Sequence, residues 1–455
     1  MELRSINPAN GKPLKKYAVP GPSRVDQMIR SSASAQLAWK EWPVGERAAL
    51  LENAARILKD RSAEWGRLMA LEMGKPIGQG IAEAEKCASA CTYYALNSEK
   101  FLAPEQVETD ASQSMVVMEP LGVVLGVMPW NFPFWQVFRF AVPTITAGNG
   151  VLLKHASNVP GCAIAIEKIF QEAGFPAGLF KSLVVPSGQV PAILNHPLVS
   201  AVSLTGSTGA GKDIARKAGS LLKKAVLELG GSDAYLILED ADLDMAAETC
   251  VNSRLINNGE SCIAAKRFII VQEVFGEFLE KFNSRMASRK MGDPLDPSTQ
   301  VGPLARTDLR DSLHRQVRKS IRLGARCVLG GSIPEGPGAF YPPTVLTGVK
   351  KGMPAFDEEL FGPVAALIRA KDEKQAIALA NDSSFGLGAA VFTRDPERGI
   401  RIARSELDAG SCFVNGLVKS DPRLPFGGIK QSGYGRELGA YGIREFVNIK
   451  TVWVR

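Results

Sequence analysis

The stretch Val199-Ser-Ala-Val-Ser-Leu-Thr-Gly-Ser-Thr-Gly-Ala-Gly-Lys-Asp213 runs from apolar, strand-forming residues into a glycine-rich turn and then into a helix. Strand, Gly-rich turn and helix in that order make half of a parallel βαβ unit. The unpaired backbone N–H groups that open such a helix favour an anion, so the turn has the chemistry of a phosphate site. A turn that only packs, with no ligand, fits the same residues. Gly206, Gly211 and Lys212 also match GxxxxGK, but Asp213 stands where a P-loop needs Ser or Thr for magnesium and would repel phosphate, which argues against an NTPase.

Working outward, the alternation continues on both sides. Upstream, strands are expected at 151–154 and 182–186, with helices at 162–174 and 190–195. Downstream, a strand at 234–238, a helix at 245–256 and a strand at 267–271 open a second alternating series that runs to about residue 414. Two α/β lobes therefore follow one another. Residues 24–100 have apolar positions three and four apart, as in Arg47-Ala-Ala-Leu-Leu-Glu-Asn-Ala-Ala-Arg-Ile-Leu58, and read as a helical lead-in. Val447-Asn-Ile-Lys-Thr-Val-Trp-Val454 reads as a strand without a local partner, which places its pairing elsewhere, on another subunit included.

A chain of 455 residues, 45% hydrophobic and 22% charged, excludes disordered, collagen-like and coiled-coil classes. It is long enough for about two or three domains. The net charge of +7 lies in no basic tract, which favours small acidic substrates over nucleic acid. The 7 cysteines are scattered, a reduced cytoplasmic pattern, and the 3 histidines have no zinc-ligand spacing, so no metal site is expected. Met1 to Pro13 has no apolar leader core. Residues 120–138 are uncharged, but Pro120, Pro129 and Pro133 with Asn131 and Gln136 argue against a membrane span.

Within this frame four residues carry possible chemistry. Cys262 follows the polar approach Asn257-Asn-Gly-Glu-Ser, as an exposed nucleophile requires, although a buried cysteine acting as a small hydrophobe fits it as well. Glu228 sits between apolar neighbours in Val226-Leu-Glu-Leu-Gly-Gly231, where desolvation suits a general base and an outward strand position is the alternative. Asn131 lies between two prolines in Pro129-Trp-Asn-Phe-Pro133, a rigid amide donor or a plain Pro-aromatic turn. Arg139 is the one charge between Glu119 and Lys154 and needs an anion, internal or substrate.

Taken together with Lys154, Thr205-Gly-Ser-Thr, Glu359-Leu-Phe-Gly-Pro-Val, Phe385-Gly-Leu and Pro425-Phe-Gly-Gly-Ile-Lys-Gln-Ser-Gly-Tyr-Gly-Arg436, these motifs resemble the aldehyde dehydrogenase superfamily in order and spacing, from about Asn7 to Val454. The resemblance implies an α/β fold in three parts: a Rossmann-like cofactor-binding domain (1–101 and 122–231), an α/β catalytic domain (232–430) and a small β oligomerisation element (102–121 and 431–455). It also implies a homodimer or homotetramer. The implied catalytic set is Cys262, Glu228, Asn131 and Lys154. Cys262 attacks the aldehyde, Asn131 and the Cys262 N–H hold the oxyanion, and Glu228 activates the water that hydrolyses the thioester.

For the cofactor the resemblance assigns Lys154 and Ser157 to the adenosine ribose, Gly206 and Ser207 to the pyrophosphate, and Glu359, Phe361 and Trp130 to the nicotinamide ribose side, with Glu228 and Leu229 between them. NAD-preferring members commonly carry Glu where Ser157 stands, so NADP is the expected cofactor and NAD the weaker one. Lys154-His-Ala-Ser157 and Gly259-Glu-Ser-Cys262 depart from the usual Lys-Pro-Ser-Glu and Gly-Gln-x-Cys and are similar to a branch of bacterial succinate-semialdehyde dehydrogenases. In that branch an arginine eight residues after the motif asparagine grips the substrate's distal carboxylate, the place of Arg139. Trp135 then walls the tunnel, with Ser261 and Ser420 at the substrate. The arginine that some relatives carry six residues before the nucleophile is Ile256 here.

Overall fold

The computed structural model describes residues 2–455. Its first sheet, parallel but for an antiparallel edge strand at Gly433–Tyr434, has six strands in the order Gly433–Tyr434, Lys224–Glu228, Val199–Thr205, Val123–Met128, Gly150–His155 and Phe180–Ser182. The central runs Val-Val-Leu-Gly-Val-Met and Gly-Val-Leu-Leu-Lys-His are almost wholly buried. Helices cover both faces of a parallel sheet, which is why these strands read as continuous rather than alternating apolar sequence. The expected strand at 182–186 begins earlier, at Phe180–Ser182, and the chain after it turns into a short 3-10 segment at Ser187–Gln189.

The second sheet has seven strands, in the order Arg326–Leu329, Thr344–Thr347, Val364–Ala370, Arg267–Val271, Ala234–Ile237, Gly388–Phe392 and Ser411–Val414. All neighbours are parallel except the first pair. The helical lead-in is divided into Pro22–Trp39, Val44–Asp60, Ser62–Met73 and Ile77–Leu102. Its three breaks fall at Pro43, at Arg61 and at Gly74 to Pro76, the first and last at residues that interrupt a helix through fixed or left-handed backbone.

The C-terminal strand Val447–Val454 is not an orphan within the chain. It pairs antiparallel with Gln113–Pro120, from Val447 opposite Pro120 to Val454 opposite Gln113, and Glu105–Gln106 adds a third strand. The segment 431–455 does not act as one unit, because Gly433–Tyr434 leaves this small sheet and pairs with Leu227 and Glu228 of the first lobe. Among the described residues no helix is long and apolar enough to cross a membrane. The carboxyl ends of Val123–Met128, Val199–Thr205 and Lys224–Glu228 lead into the segments carrying Asn131, Ser207 and Leu229. Ligands of open α/β sheets bind at this end of the strands.

Candidate active site

Cys262 is presented by a left-handed arch. After the helix Leu243–Leu255, Asn257, Asn258 and Gly259 take φ of +52, +60 and +78. Asparagine tolerates this region better than most residues, and glycine is unrestricted there. A Cβ at Gly259 would lie 2.3 Å from the Gly362 carbonyl carbon, so the arch also needs glycine for space. Asn257 Nδ2 donates to the Asn131 carbonyl at 2.7 Å and the Glu260 carbonyl at 2.9 Å. Asn258 Nδ2 donates to the Gly74 and Pro303 carbonyls, each at 3.0 Å. On the far side, the fully buried Lys266 Nζ donates to the Ser261 and Cys262 carbonyls at 2.9 and 2.6 Å. The Cys262 backbone is therefore fixed from both directions. Burial pushes its thiol up to about 12, while the charges of Arg139 and Lys266 pull the other way.

The half-buried Cys262 lines a cavity of about 260 Å³ together with Asn131, Trp130, Glu359 and Phe361. Gly206, Ser207 and Leu229 form another part of its wall. Trp130 meets Phe361 edge to face at 5.7 Å between ring centroids. Glu359 Oε1 accepts from the Gly231 N–H at 3.0 Å and lies 3.5 Å from Lys266 Nζ. Asn131 Nδ2 donates to the Glu260 carbonyl at 3.1 Å, and its Oδ1 is buried without a partner. Ser207 caps the helix Thr208–Ser220 by accepting from Ala210 N. This leaves the helix N-terminus facing the cavity as an anion-favouring end.

Lys154 and Ser157 line a different cavity, of about 750 Å³, with Ser187 and Arg306. Burial is what lowers the Lys154 pKa, with no neighbouring charge contributing. Lys154 thus lines a cavity other than the one that holds Cys262. An unengaged buried ammonium, a hydroxyl and a helix N-terminus match the donor set that a phosphorylated dinucleotide requires.

Three further expected residues sit around the Cys262 cavity. Glu228, at the end of Lys224–Glu228, stands next in the chain to Leu229 of the Cys262 cavity wall. Its Oε1 lies 2.7 Å from where a Cβ of Gly427 would be, buried and without a hydrogen-bond partner. Burial, then the neighbouring Glu437, raise its pKa well above the usual carboxylate range, and Arg139 opposes them. Arg139 is not free to grip a substrate. It is 2% exposed, pairs with the buried Glu437 and sits 4.8 Å from the Phe426 ring centroid. Spacing identified its need for an anion, and Glu437 supplies that anion from 298 residues away in sequence. Ser261 is buried with its Oγ unpartnered and lines neither cavity described so far, nor the tunnel.

The tunnel is a third cavity, of about 540 Å³, with apolar walls from Phe132, Trp135, Leu255, Ile256 and Leu417. Phe132 of its wall is the chain neighbour of Asn131, which lines the Cys262 cavity. Ser420 Oγ accepts from Trp135 Nε1 at 3.0 Å and from Lys86 Nζ at 2.8 Å. Sequence reading missed Lys86, Asn257, Lys266 and Glu437. Lys266 alone left a trace, as a cation at the entry to the apolar strand Arg267–Val271.

The sequence pattern of the aldehyde dehydrogenase family matches residues 1–452. The chain belongs to this family. A Synechocystis relative named probable NADP(+) succinate-semialdehyde dehydrogenase is 48% identical over 454 residues, covering 100% of both chains. An Escherichia coli relative named NAD(P)+ succinate semialdehyde dehydrogenase is 46% identical, over 99% of this chain and 97% of its own. The solved succinic semialdehyde dehydrogenase of Streptococcus pyogenes, in complex with NADP+, superimposes with a TM-score of 0.97 at 35% identity and 99% coverage of each chain.

In this aldehyde dehydrogenase the residue two before the nucleophile, Glu260, is fully buried and accepts from Ala305 N at 3.0 Å. Burial raises its pKa well above the usual range, and it stands where the family motif commonly has glutamine.

Proposed function

We propose that this aldehyde dehydrogenase oxidises succinic semialdehyde to succinate with NADP. The observation that carries the reading is the clamped Cys262 facing Asn131 and Glu359 in one cavity, with an apolar tunnel walled by Phe132, the chain neighbour of Asn131. Lys154, Ser157 and the capped helix at Ser207 would hold the dinucleotide, and Glu359 with Phe361 its nicotinamide ribose side. NADP, when bound, accepts the hydride that leaves the substrate carbon. Ser157 adds no charge against a 2′-phosphate, and Asp308 in the same wall is engaged by Arg306 at 2.8 Å, which supports NADP over NAD.

Cys262 releases its proton to solvent, its sulfur bonds to the aldehyde carbon as the carbonyl π bond breaks toward oxygen, and the resulting oxyanion is stabilised by Asn131 Nδ2 and the Cys262 N–H. After hydride loss a thioester remains on Cys262. Glu228, as carboxylate, takes a proton from water, which displaces the Cys262 thiolate and releases succinate. By the same resemblance the enzyme works in the cytoplasm as a homodimer or homotetramer, assembled through the small β element.

Initial rates of reduced-cofactor formation with succinic semialdehyde, propanal and benzaldehyde, each with NADP and NAD, test the reading. Succinic semialdehyde with NADP should give the highest kcat/KM. A higher value for propanal removes the substrate assignment and leaves the Cys262 chemistry in place, while equal or better use of NAD removes the cofactor preference.

A further inference from the structure

With Arg139 committed to Glu437, a negatively charged substrate needs another cation, and the tunnel wall contains two, Lys86 and Arg289. Arg289 is held by Glu248 at 2.6 Å and by Asn252 at 3.1 Å. Lys86 has no carboxylate partner among the described residues. Glu83, in the same wall, is taken by Lys75 and by the N–H groups of Phe134 and Trp135, each at 2.9 Å. Asp421, beside Ser420, is taken by Arg423 at 2.7 Å.

Lys86 Nζ lies 4.1 Å from the Trp135 ring centroid and donates one hydrogen bond, to Ser420 Oγ. Since Ser420 Oγ accepts from both Lys86 and Trp135, its lone pairs are used and its own hydrogen is directed elsewhere. An ammonium with spare N–H groups, held over the indole face in the tunnel wall, and a hydroxyl with a spare hydrogen, held at the indole edge, therefore stand side by side. That is a two-donor site for a carboxylate.

We propose that Lys86, paired with Ser420 above Trp135, receives the distal carboxylate of the substrate and sets the preference for acidic aldehydes. The proposal rests on the succinic semialdehyde reading above. The charges around Lys86 are Glu83 and Cys87 on its own helix, Arg139 from Trp135–Thr146, Asp421 beside Ser420, and Arg289 in the tunnel wall. Burial first and Arg139 second bring its pKa down to about 8, so the site holds its positive charge below that pH and loses it above.

The test compares wild type, Lys86→Met and Lys86→Arg by kcat and KM for succinic semialdehyde and for butanal, from about pH 6 to about pH 10. Lys86→Met should raise the KM for succinic semialdehyde by about 10- to 100-fold, the loss of one charged hydrogen bond, with kcat changed by less than about threefold. The kcat/KM ratio of the acidic to the neutral aldehyde should fall by at least about tenfold. In wild type the KM for succinic semialdehyde should climb above about pH 8, and in Lys86→Arg, whose charge persists, the climb should disappear. An equal KM rise for both aldehydes in Lys86→Met, or a climb that survives in Lys86→Arg, overturns the assignment. If wild type uses butanal as well as succinic semialdehyde, the substrate reading fails and takes this proposal with it. If wild type prefers the acid and Lys86→Met keeps that preference, only the role of Lys86 falls.

Discussion

Arg139 is a single buried charge that, in the proposed mechanism, serves the chemistry without touching the substrate. Its guanidinium is enclosed by Glu437, Thr205 and Phe426, and its charge lowers the pKa of both Cys262 and Glu228 against the larger effect of burial. In the proposed mechanism both groups act deprotonated, one as nucleophile and one as base. Replacing Arg139 by Met removes the cation, so both pKa values rise further and the rising limb of activity against pH moves to higher pH. Since one pKa unit is a factor of ten in the reactive form, kcat/KM at pH 7 should fall about tenfold or more. The loss should be similar for succinic semialdehyde and butanal, which initial rates across pH will check. A loss confined to the acidic aldehyde would instead return Arg139 to the substrate.

At the scale of elements, the arch Asn257–Gly259 is where backbone conformation and catalysis meet. Gly259→Ala places a Cβ within 2.3 and 2.4 Å of the Gly362 carbonyl atoms, against backbone that cannot rotate away, at a φ of +78. Strain alone costs about 1–3 kcal/mol, and the clash adds to it. Urea unfolding should show at least that loss, and alkylation of Cys262 by a thiol reagent should slow, because the arch aims the sulfur. Unchanged unfolding and labelling would mean that the arch relaxes freely. Much of this element was legible beforehand: the polar, Gly-containing approach marked Cys262, and the prolines around Asn131 marked a rigid turn. The strands at 199–204 and 267–271 followed from apolar runs bounded by turns. Lys86 and Glu437 were not legible, because each acts through a contact made only when distant segments meet. Lys86 reaches Ser420 across 334 residues, and no local periodicity encodes that pairing. Arg139 illustrates the reverse case, where a local spacing matched a substrate role and a distant acid had already claimed the side chain.

For the whole molecule, the small sheet Val447–Val454, Gln113–Pro120 and Glu105–Gln106 is the least self-sufficient part. Val447–Val454 lies at its edge, paired on one side only, so an eight-residue row of N–H and C=O groups is open. Such an edge is a template for another strand unless it is short, bulged or heavily charged, and this one carries only Lys450 as a charge. Ile449 and Trp453 share one face of the strand, at 62% and 51% exposure, where a monomer would leave them in water. A second copy that covers this face buries both, contributing about 25 cal/mol per Å² of apolar area removed from solvent. Ile449→Arg combined with Trp453→Arg should therefore lower the mass measured by light scattering on a sizing column to that of a smaller species, with Cys262 still open to thiol labelling. A variant that keeps the wild-type mass would locate assembly on another face.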